Sequence, residues 1–220
     1  MIAHELISDI IPPLKTSDSI QRVVDRMDEF RVNHLPIVDN LEFLGIVSDQ
    51  DLIEILDYDL PISEVSLSLH NTFATENQHI YDVIRLIYQF KLTLVPVLDS
   101  ANNYLGVISS NTVMEYFATL TAVKEQGGII VIEISNRNNS LSHIAQIVES
   151  NNAQILSSYV RTFPDSTRIE ITLKLNRIDI TAIIASLLRY DYTVKETFND
   201  IKQDNDTLDR FDQFMNYLNI

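Results

Sequence analysis

Apolar and polar positions follow one pattern that occurs twice in the first half of the chain. Apolar residues recur at helical spacing over residues 20–30 and again over residues 80–90. Each predicted helix is followed by a short apolar run that ends in aspartate, Pro36–Asp39 and Pro96–Asp99. A polar turn and a second apolar run then complete what the pattern predicts to be a β-hairpin.

Glycine marks the second strand of each predicted hairpin. The chain has four glycines, and two of them, Gly45 and Gly106, stand at this equivalent position. Glycine inside a strand indicates a bulge or the close approach of another backbone or a ligand. Self-similarity at a fixed period of this kind is typical of one supersecondary unit used twice.

Each unit is therefore predicted to run strand, helix, strand, strand, helix. Residues 14–16 form the short first strand of the first unit, and Ser17 or Asp18 caps its first helix. The second helix is expected to begin at Ser48–Asp51, because Ser and Asp side chains accept hydrogen bonds from the free N–H groups of a helix start. Residues 1–9 are expected to form a short helix that leads into this unit.

The second half of the chain has a different order of elements. A strictly alternating segment, Arg168–Leu175, predicts an antiparallel strand with one buried side. Around it the pattern predicts strand 129–134, a helix from Leu141, strand 155–163, a helix over 180–188 and strand 192–198. The order βαββαβ is the ferredoxin-like arrangement, so the fold class as a whole is α+β.

Four segments follow from this pattern. They are a first repeat at 1–66, a second repeat at 67–126, the βαββαβ domain at 127–199 and a tail at 200–220. Gly127–Gly128 is interpreted as the stop of the last helix of the repeats, over 111–124, and as the linker. The tail has one apolar face and is expected to pack on its own domain or on a partner subunit; that face comprises Leu208, Phe211, Phe214, Met215 and Leu218.

Charge excludes two classes of partner. The chain has 31 acidic and 16 basic residues, a formal net charge of −15, whereas nucleic acids and anionic membranes are bound through Lys and Arg. Cysteine is absent, which fits a cytoplasmic chain. We find neither a signal-peptide pattern nor a run of 18 apolar residues, so a secreted or membrane-spanning protein is not expected.

The repeated pattern resembles the CBS motif. Its features are an apolar-Pro-apolar-apolar-Asp strand, a turn, and then Gly-apolar-apolar-Ser followed by a helix start. Two such motifs in register over about residues 1–124 are similar to a CBS pair, or Bateman module. The resemblance implies a homodimer and a cleft that binds an adenine nucleotide.

Carried over to this chain, the resemblance implies one nucleotide site with six residues. Asp51 would accept hydrogen bonds from the ribose hydroxyls, and Ser48 would contact phosphate at the helix start. Thr16 and the backbone at Pro36 and Ile37 would face the base. His34 is the candidate for a second phosphate contact.

The second repeat departs from the family pattern at the corresponding cleft. Thr112 replaces the ribose aspartate and Leu94 replaces His34, while Ser109 alone is kept. We therefore expect at most one good nucleotide site per pair. The alternative for Ser48 and Asp51 is that they only cap a helix, and for His34 that it is a packing or surface residue.

The βαββαβ domain resembles an ACT domain. At Asn136 and Asn139 the chain departs from the Asp-x-Pro-Gly turn of ACT ligand loops, so a dimerisation module is favoured over an amino-acid sensor. A CBS pair followed by an ACT-like domain is similar to the stand-alone bacterial CBS–ACT proteins of the acetoin-utilisation (AcuB-like) kind.

Catalysis finds no support in the residues. The chain has no phosphate-binding glycine loop, no His-Glu-x-x-His and no nucleophile serine flanked by glycines. Its five histidines have no metal-ligand spacing. The sequence therefore predicts a non-catalytic, cytoplasmic regulatory protein that binds AMP, ADP, ATP or S-adenosylmethionine and has no resident cofactor or metal. A ligand-free interaction scaffold and an amino-acid sensor remain open.

Overall fold

The structure is a computed structural model that describes residues 1–135, 141–164 and 166–199. Its contacts divide the chain into two compact units, of which the first is Met1–Tyr116 and the second begins at Phe117. Neither the predicted loop at Asn136–Asn139 nor the predicted helical tail after Asn205 belongs to the described residues. No helix among the described residues is long and apolar enough to cross a membrane.

The first unit contains both repeats, and the helices predicted over residues 20–30 and 80–90 and both hairpins are confirmed. One apolar core joins them, since Leu35 and Val47 of the first repeat pack in the same cluster as Leu94 and Val107 of the second. The elements that begin in this unit are α1 (Ile20–Phe30), β1 (His34–Asp39), β2 (Glu42–Ser48), β3 (Ala74–Thr75), α2 (Ile80–Phe90), β4 (Leu94–Leu98), β5 (Tyr104–Ser109) and α3 (Ser110–Leu120).

The two hairpins share an irregularity. The register of β1 with β2 shifts between Ile37 and Val38, and that of β4 with β5 shifts between Val97 and Leu98. The shift lies beside Gly45 in the first hairpin and beside Gly106 in the second, as expected for a bulge.

Each hairpin is completed by a segment that leads into the other repeat. Ser8 bridges Val107 of β5: its N–H donates to the Val107 carbonyl at 2.9 Å and its carbonyl accepts from the Val107 N–H at 3.1 Å. Leu69 bridges Ile46 of β2, and its carbonyl accepts from the Ile46 N–H at 3.0 Å. The segment before the first repeat therefore packs on the second repeat, and the segment between the repeats packs on the first.

The absence of a side chain at the two glycines permits this contact. A Cβ on Gly106 would lie 2.6 Å from Ile7 Cγ2 and 3.0 Å from the Ser8 carbonyl oxygen, and one on Gly45 would lie 2.9 Å from Leu67 Cδ1. Both glycines also have φ near +150°, a conformation that other residues rarely adopt. The close approach expected from the sequence is thus an approach of the segments at residues 7–8 and 67–70, through both side-chain and backbone atoms.

Two predictions about the start of the first repeat are wrong. Leu14 makes only an isolated parallel bridge to Ile37, and residues 14–16 do not form a strand; the equivalent β3 of the second repeat is a true strand of two residues. The cap of α1 is Ser19, whose Oγ accepts from the N–H of Arg22 at 3.4 Å, rather than Ser17 or Asp18. Asp18 instead accepts from the N–H of Lys15.

The predicted helix after Asp51 is also wrong. Only one turn of 3-10 helix forms, Asp49–Leu52, whereas the second repeat has the 11-residue α3 at this place. The carbonyls of Tyr58 and Leu60 accept from the N–H groups of Gln21 and Ile20 at the start of α1. These hydrogen bonds fix the backbone at 58–60 against α1, so the chain cannot continue as a helix.

The second unit has the predicted ferredoxin-like order of elements. Its neighbouring strands are all antiparallel, in the order β7-β8-β6-β9. On β8 the alternation predicted one buried side, and Ile169, Ile171, Leu173 and Leu175 are indeed buried. The elements are β6 (Ile129–Ser135), α4 (Leu141–Ser150), β7 (Ile155–Thr162), β8 (Arg168–Leu175), α5 (Thr181–Arg189) and β9 (Thr193–Phe198).

Gly127 and Gly128 are held within the second unit and are not a free linker. The N–H of Gly128 donates to the Arg177 carbonyl at 2.7 Å, and its carbonyl accepts from the N–H of Leu175 at 2.9 Å. Lys174 Nζ donates to the Gly127 carbonyl at 2.8 Å. Helix α3 has already ended at Leu120, short of the predicted residue 124, because Ala122 takes the left-handed conformation.

We expect Gly106→Ala to lower the denaturation midpoint of the first unit more than Gly45→Ala does. Each substitution strains the backbone by about 1–3 kcal/mol, but only Gly106 has a backbone oxygen within 3.0 Å of the new Cβ. Urea denaturation followed by circular dichroism measures the difference. Glu42→Ala, at the exposed end of β2, is the control, and a Gly106→Ala protein as stable as this control would contradict the packing described.

Candidate functional site

Ser48 and Asp51 form a closed hydrogen-bonded pair at the end of β2. Asp51 Oδ2 accepts from both the N–H and the Oγ–H of Ser48, each at 2.8 Å, and the Asp51 N–H donates back to Ser48 Oγ at 3.3 Å. Ser48 is buried and Asp51 half-buried. Among the described residues, Asp51 Oδ1 has no hydrogen-bond partner, so this oxygen is available to accept.

The second repeat reproduces this geometry without the charge. Ser109 Oγ and Thr112 Oγ1 are 2.9 Å apart, and the Thr112 N–H donates to Ser109 Oγ at 3.0 Å. The serine and its bond to the following turn are therefore common to both repeats. What distinguishes the first repeat is the carboxylate.

His34 connects the two repeats. Its Nδ1 lies 3.1 Å from Thr93 Oγ1 and accepts from the Thr93 N–H at 3.3 Å, while Thr93 Oγ1 also accepts from the Asn33 N–H at 3.1 Å. Since Nδ1 accepts a backbone N–H, the ring proton of the neutral imidazole is on Nε2. The histidine that we predicted as a phosphate contact has its Nδ1 bound within the protein.

Burial lowers the pKa of His34 below its ordinary value of 6.5, and the nearby carboxylates of Asp49 and Asp51 only partly oppose this effect. Only 8% of the residue is exposed. The imidazole is therefore neutral at pH 7, which removes the positive charge that a phosphate contact would use.

The remaining predicted residues lie close to this pair along the same hairpin. Pro36 and Ile37 are buried in β1, where the Pro36 carbonyl accepts from the Leu14 N–H at 2.8 Å. Thr16, two residues beyond Leu14, is half-buried, and its carbonyl accepts from the Ser63 N–H at 3.2 Å. The six predicted residues are thus brought to one hairpin and the segment bridged to it, although the roles assigned to them remain predictions.

Three polar residues beside the pair were missed by the sequence reasoning. Asn33 Nδ2 donates to Asp49 Oδ2 at 2.7 Å, and the Asp49 N–H donates to the Asn33 carbonyl. Thr93 stands one residue before β4, as Asn33 does before β1, so the repeat alignment was the available signal. A cavity of about 560 Å³ adjoins this corner. Its lining comprises Asn33 and Asp49, residues of α1 and of the turn after it, among them Met27 and Arg31, and residues that follow β2, among them Leu52 and Tyr58.

Comparison with known proteins identifies the repeated unit. The family model described as "CBS domain" matches residues 3–58 and 62–119, which together make up half of the chain. The chain belongs to the CBS domain family.

The CBS pair is also the part shared with curated relatives. The chain is 24% identical over 128 residues to inosine-5'-monophosphate dehydrogenase of Streptococcus pyogenes, an alignment that covers 56% of this chain and 26% of the enzyme. The chain thus spans about a quarter of the length of this relative.

Solved structures to which the chain is similar include two bacterial proteins. One is a CBS domain pair/ACT domain protein of Thermotoga maritima, with a TM-score of 0.49, 22% identity, and coverage of 53% of this chain and 96% of that one. The other is a putative acetoin utilization protein of Vibrio cholerae, with a TM-score of 0.48, 19% identity, and coverage of 56% of this chain and 95% of that one.

We expect the CBS pair to lose stability as the pH falls below about 6.5, because His34 binds protons more weakly in the folded chain than in the unfolded chain. His34→Leu, which copies Leu94 of the second repeat, removes this loss. The measurement is the thermal midpoint of both proteins from pH 8 to pH 5.5. A difference between the two midpoints that does not change with pH would refute the assignment.

Proposed function

We propose that this protein is a non-catalytic regulatory protein of the cytoplasm whose CBS pair binds an adenine nucleoside or nucleotide, from the group of AMP, ADP, ATP and S-adenosylmethionine. The ligand binds beside Asp51, and binding is signalled by a conformational shift. Family membership supports the class of function. The single observation that carries the site is the asymmetry between Asp51 and Thr112.

The geometry of Asp51 suits a ribose. A carboxylate accepts hydrogen bonds from two hydroxyls at once, and Asp51 keeps Oδ1 available while Ser48 fixes its orientation through Oδ2. Thr112 offers a single hydroxyl, which is already within hydrogen-bonding distance of Ser109. We therefore assign one site to each pair, in the first repeat.

The signal is a population shift between arrangements of the two repeats. A ligand favours the arrangement that it binds more tightly, by the difference between its two affinities. The contact of His34 with Thr93 joins the first repeat to the second near Ser48, so a change at Asp51 acts on the interface between repeats. Gly127 and Gly128 are hydrogen-bonded within the second unit. In this proposal the conformational shift therefore does not act as a hinge at these two glycines.

Homodimerisation is the second part of the proposal. Helices α2 and α3 expose large apolar side chains, of which Tyr81, Tyr88 and Met114 are each about two-thirds or more exposed, and exposed apolar clusters often mark protein interfaces. The antiparallel order β7-β8-β6-β9 of the second unit supports our assignment of this unit as an ACT-like dimerisation domain.

Light scattering after size exclusion should give twice the chain mass of 25.2 kDa. We expect this value across the low micromolar range, since exposed apolar surface of this kind is stabilised by association. A mass of one chain at these concentrations would refute the dimer and leave the ligand site untouched.

We expect Asp51→Ala to abolish the ligand-induced rise in melting temperature. A ligand that binds only the folded protein raises the midpoint in proportion to ln(1 + [L]/Kd), and the variant lacks the ribose acceptor. Thr112→Ala is the matched control, because it alters the equivalent position of the other repeat. The measurement is the shift produced by AMP, ADP, ATP and S-adenosylmethionine relative to each variant without ligand.

Two results would contradict the proposal. An equal rise in melting temperature in wild type and in Asp51→Ala would show that the ligand does not bind at Asp51. No shift with any of the four compounds would leave the ligand-free scaffold as the function.

A further inference from the structure

We propose that residues 200–220 of this chain cover the open face of the sheet in the second unit, on the side opposite α4 and α5. The open face is the side of the sheet β7-β8-β6-β9 that carries Val131, Tyr159, Glu170 and Thr172. This inference goes beyond the proposed function and does not depend on nucleotide binding.

The strand β8 shows that the two faces of the sheet differ. Its alternate residues Ile169, Ile171, Leu173 and Leu175 are buried in one core with residues of α4 and α5. Because side chains alternate along a strand, the residues between them belong to the open face. Thr172 is one of them, and it pairs directly with Val131 on one side and Tyr159 on the other.

One end of the open face is already in contact with the segment before β6. There Ser157 Oγ donates to the Thr121 carbonyl at 3.0 Å, and Lys174 Nζ donates to the Gly127 carbonyl at 2.8 Å. The middle is more open, since Tyr159 is 56% exposed. Toward the other end lies a cavity of about 320 Å³, lined by Glu133, Phe163, Ser166, Arg168, Glu170 and Lys195.

Apolar and aromatic side chains make this face suitable for a further layer. Val131 is half-buried at its centre, and Phe163 lines the cavity. The apolar face of a sheet is normally buried against another element. The tail offers a matching surface, since an amphipathic helix of this length is marginal in water until it docks. The predicted apolar side of the tail comprises Leu208, Phe211, Phe214, Met215 and Leu218.

The tail starts at an edge of this sheet. It follows β9, an edge strand that ends at Phe198, opposite Ile129 of β6. Nine residues separate Phe198 from Leu208, and nine extended residues span about 30 Å. The sheet is about 14 Å wide, and a helix over 208–218 would be about 16 Å long. The tail is therefore long enough to reach any part of the face and to cross its four strands.

The charges of the open face are arranged with the cations outward. Arg161 lies 3.8 Å from Glu170, while Arg168 and Lys195 lie 3.6 and 3.2 Å from Glu133. The side chains of the three cations are 69%, 68% and 43% exposed, against 22% and 23% for the two carboxylates. An element that packs on this part of the sheet therefore meets positive charge first.

The tail is acidic, which favours this face over the first unit. Residues 200–220 carry five acidic and two basic residues, and residues 1–116 carry 18 and six, whereas residues 117–199 carry eight of each. Asp206, Asp209 and Asp212 are spaced to share one flank of a helix. Glu196 is also exposed, on β9. The acidic flank is therefore best placed toward β7 and β8, which carry Arg161 and Arg168.

The test is the rate at which a maleimide labels one introduced thiol in the full chain, which has no cysteine of its own. Thr172→Cys places the thiol between Val131 and Tyr159 on the open face, and thiol reactivity depends on exposure. Adding Phe211→Asp, which puts a charge on the apolar side of the tail, should raise the labelling rate about fivefold, as for a segment that is docked about four-fifths of the time.

Two controls accompany this measurement. Gln213→Asp adds the same charge on the opposite side of the predicted helix, so it should leave the labelling rate of Thr172→Cys unchanged. Ala182→Cys is an exposed position on α5, in the layer on the other side of the sheet. Its labelling rate should be the same with and without Phe211→Asp.

A crosslink identifies the chain from which the covering segment comes. A short bismaleimide should join the two thiols of a Thr172→Cys and Met215→Cys double variant within one chain of 25.2 kDa. A product that joins two chains would assign the face to the tail of a second copy and would overturn the proposal.

The labelling results decide the remaining alternatives. Equal rates for Thr172→Cys with Phe211→Asp and with Gln213→Asp would overturn the proposal, because the apolar side of the tail would then not protect the face. Faster labelling of both Thr172→Cys and Ala182→Cys would also overturn it, since Phe211 would then act on the stability of the whole unit. The nucleotide site is tested separately through Asp51→Ala, and neither result affects the other.

Discussion

The structure of the CBS pair depends on the exchange of lead-in segments between its repeats. Residues 7–8 pack on β5 and residues 67–70 on β2, in each case over a glycine. The same exchange extends to the helices: the Ala3 and His4 N–H groups donate to carbonyls at 76–78, as those of Ile62 and Ser63 donate to Asp18 and Thr16. Neither repeat completes its own sheet, so the two fold as one unit with one core.

The near-symmetry of this unit makes its differences informative. Both repeats keep the serine that binds the following turn, but only the first has a carboxylate there, and only the first has a histidine at the start of its first hairpin strand. The second repeat instead continues into a full helix. A duplicated architecture thus supports one polar corner with Asp51 at its centre and an uncharged counterpart at Thr112.

Much of the fold follows from local pattern. Periodicity located α1, α2, the hairpins and the elements of the second unit, because each buries one face. The cap of α1 was missed because Ser17, Asp18 and Ser19 are all good capping residues. In the fold the Asp18 side chain accepts from the Lys15 N–H and its carbonyl accepts from the Ile62 N–H, and Ser19 is left as the cap. The helix after Asp51 was overpredicted because contacts of Tyr58 and Leu60 with α1 outweigh local propensity.

The chemistry of the site was less accessible from sequence. The resemblance to the CBS motif indicated Ser48, Asp51 and His34, but which atoms remain free depends on bonds that form only in the fold. The bond of His34 to Thr93 joins residues 59 positions apart, and no local pattern reveals it. Likewise, only the folded geometry shows that the hydroxyl proton of Ser48 is donated to Asp51 Oδ2.

The exchange of lead-ins has a consequence for how such a chain can arise. Two identical single-repeat chains that trade their lead-ins would form a domain-swapped pair with these contacts. Joining the two copies through residues 58–70 turns that association into an intramolecular one, which no longer depends on concentration. Once joined, the two copies are free to diverge, so a polar corner needs to be kept in only one of them.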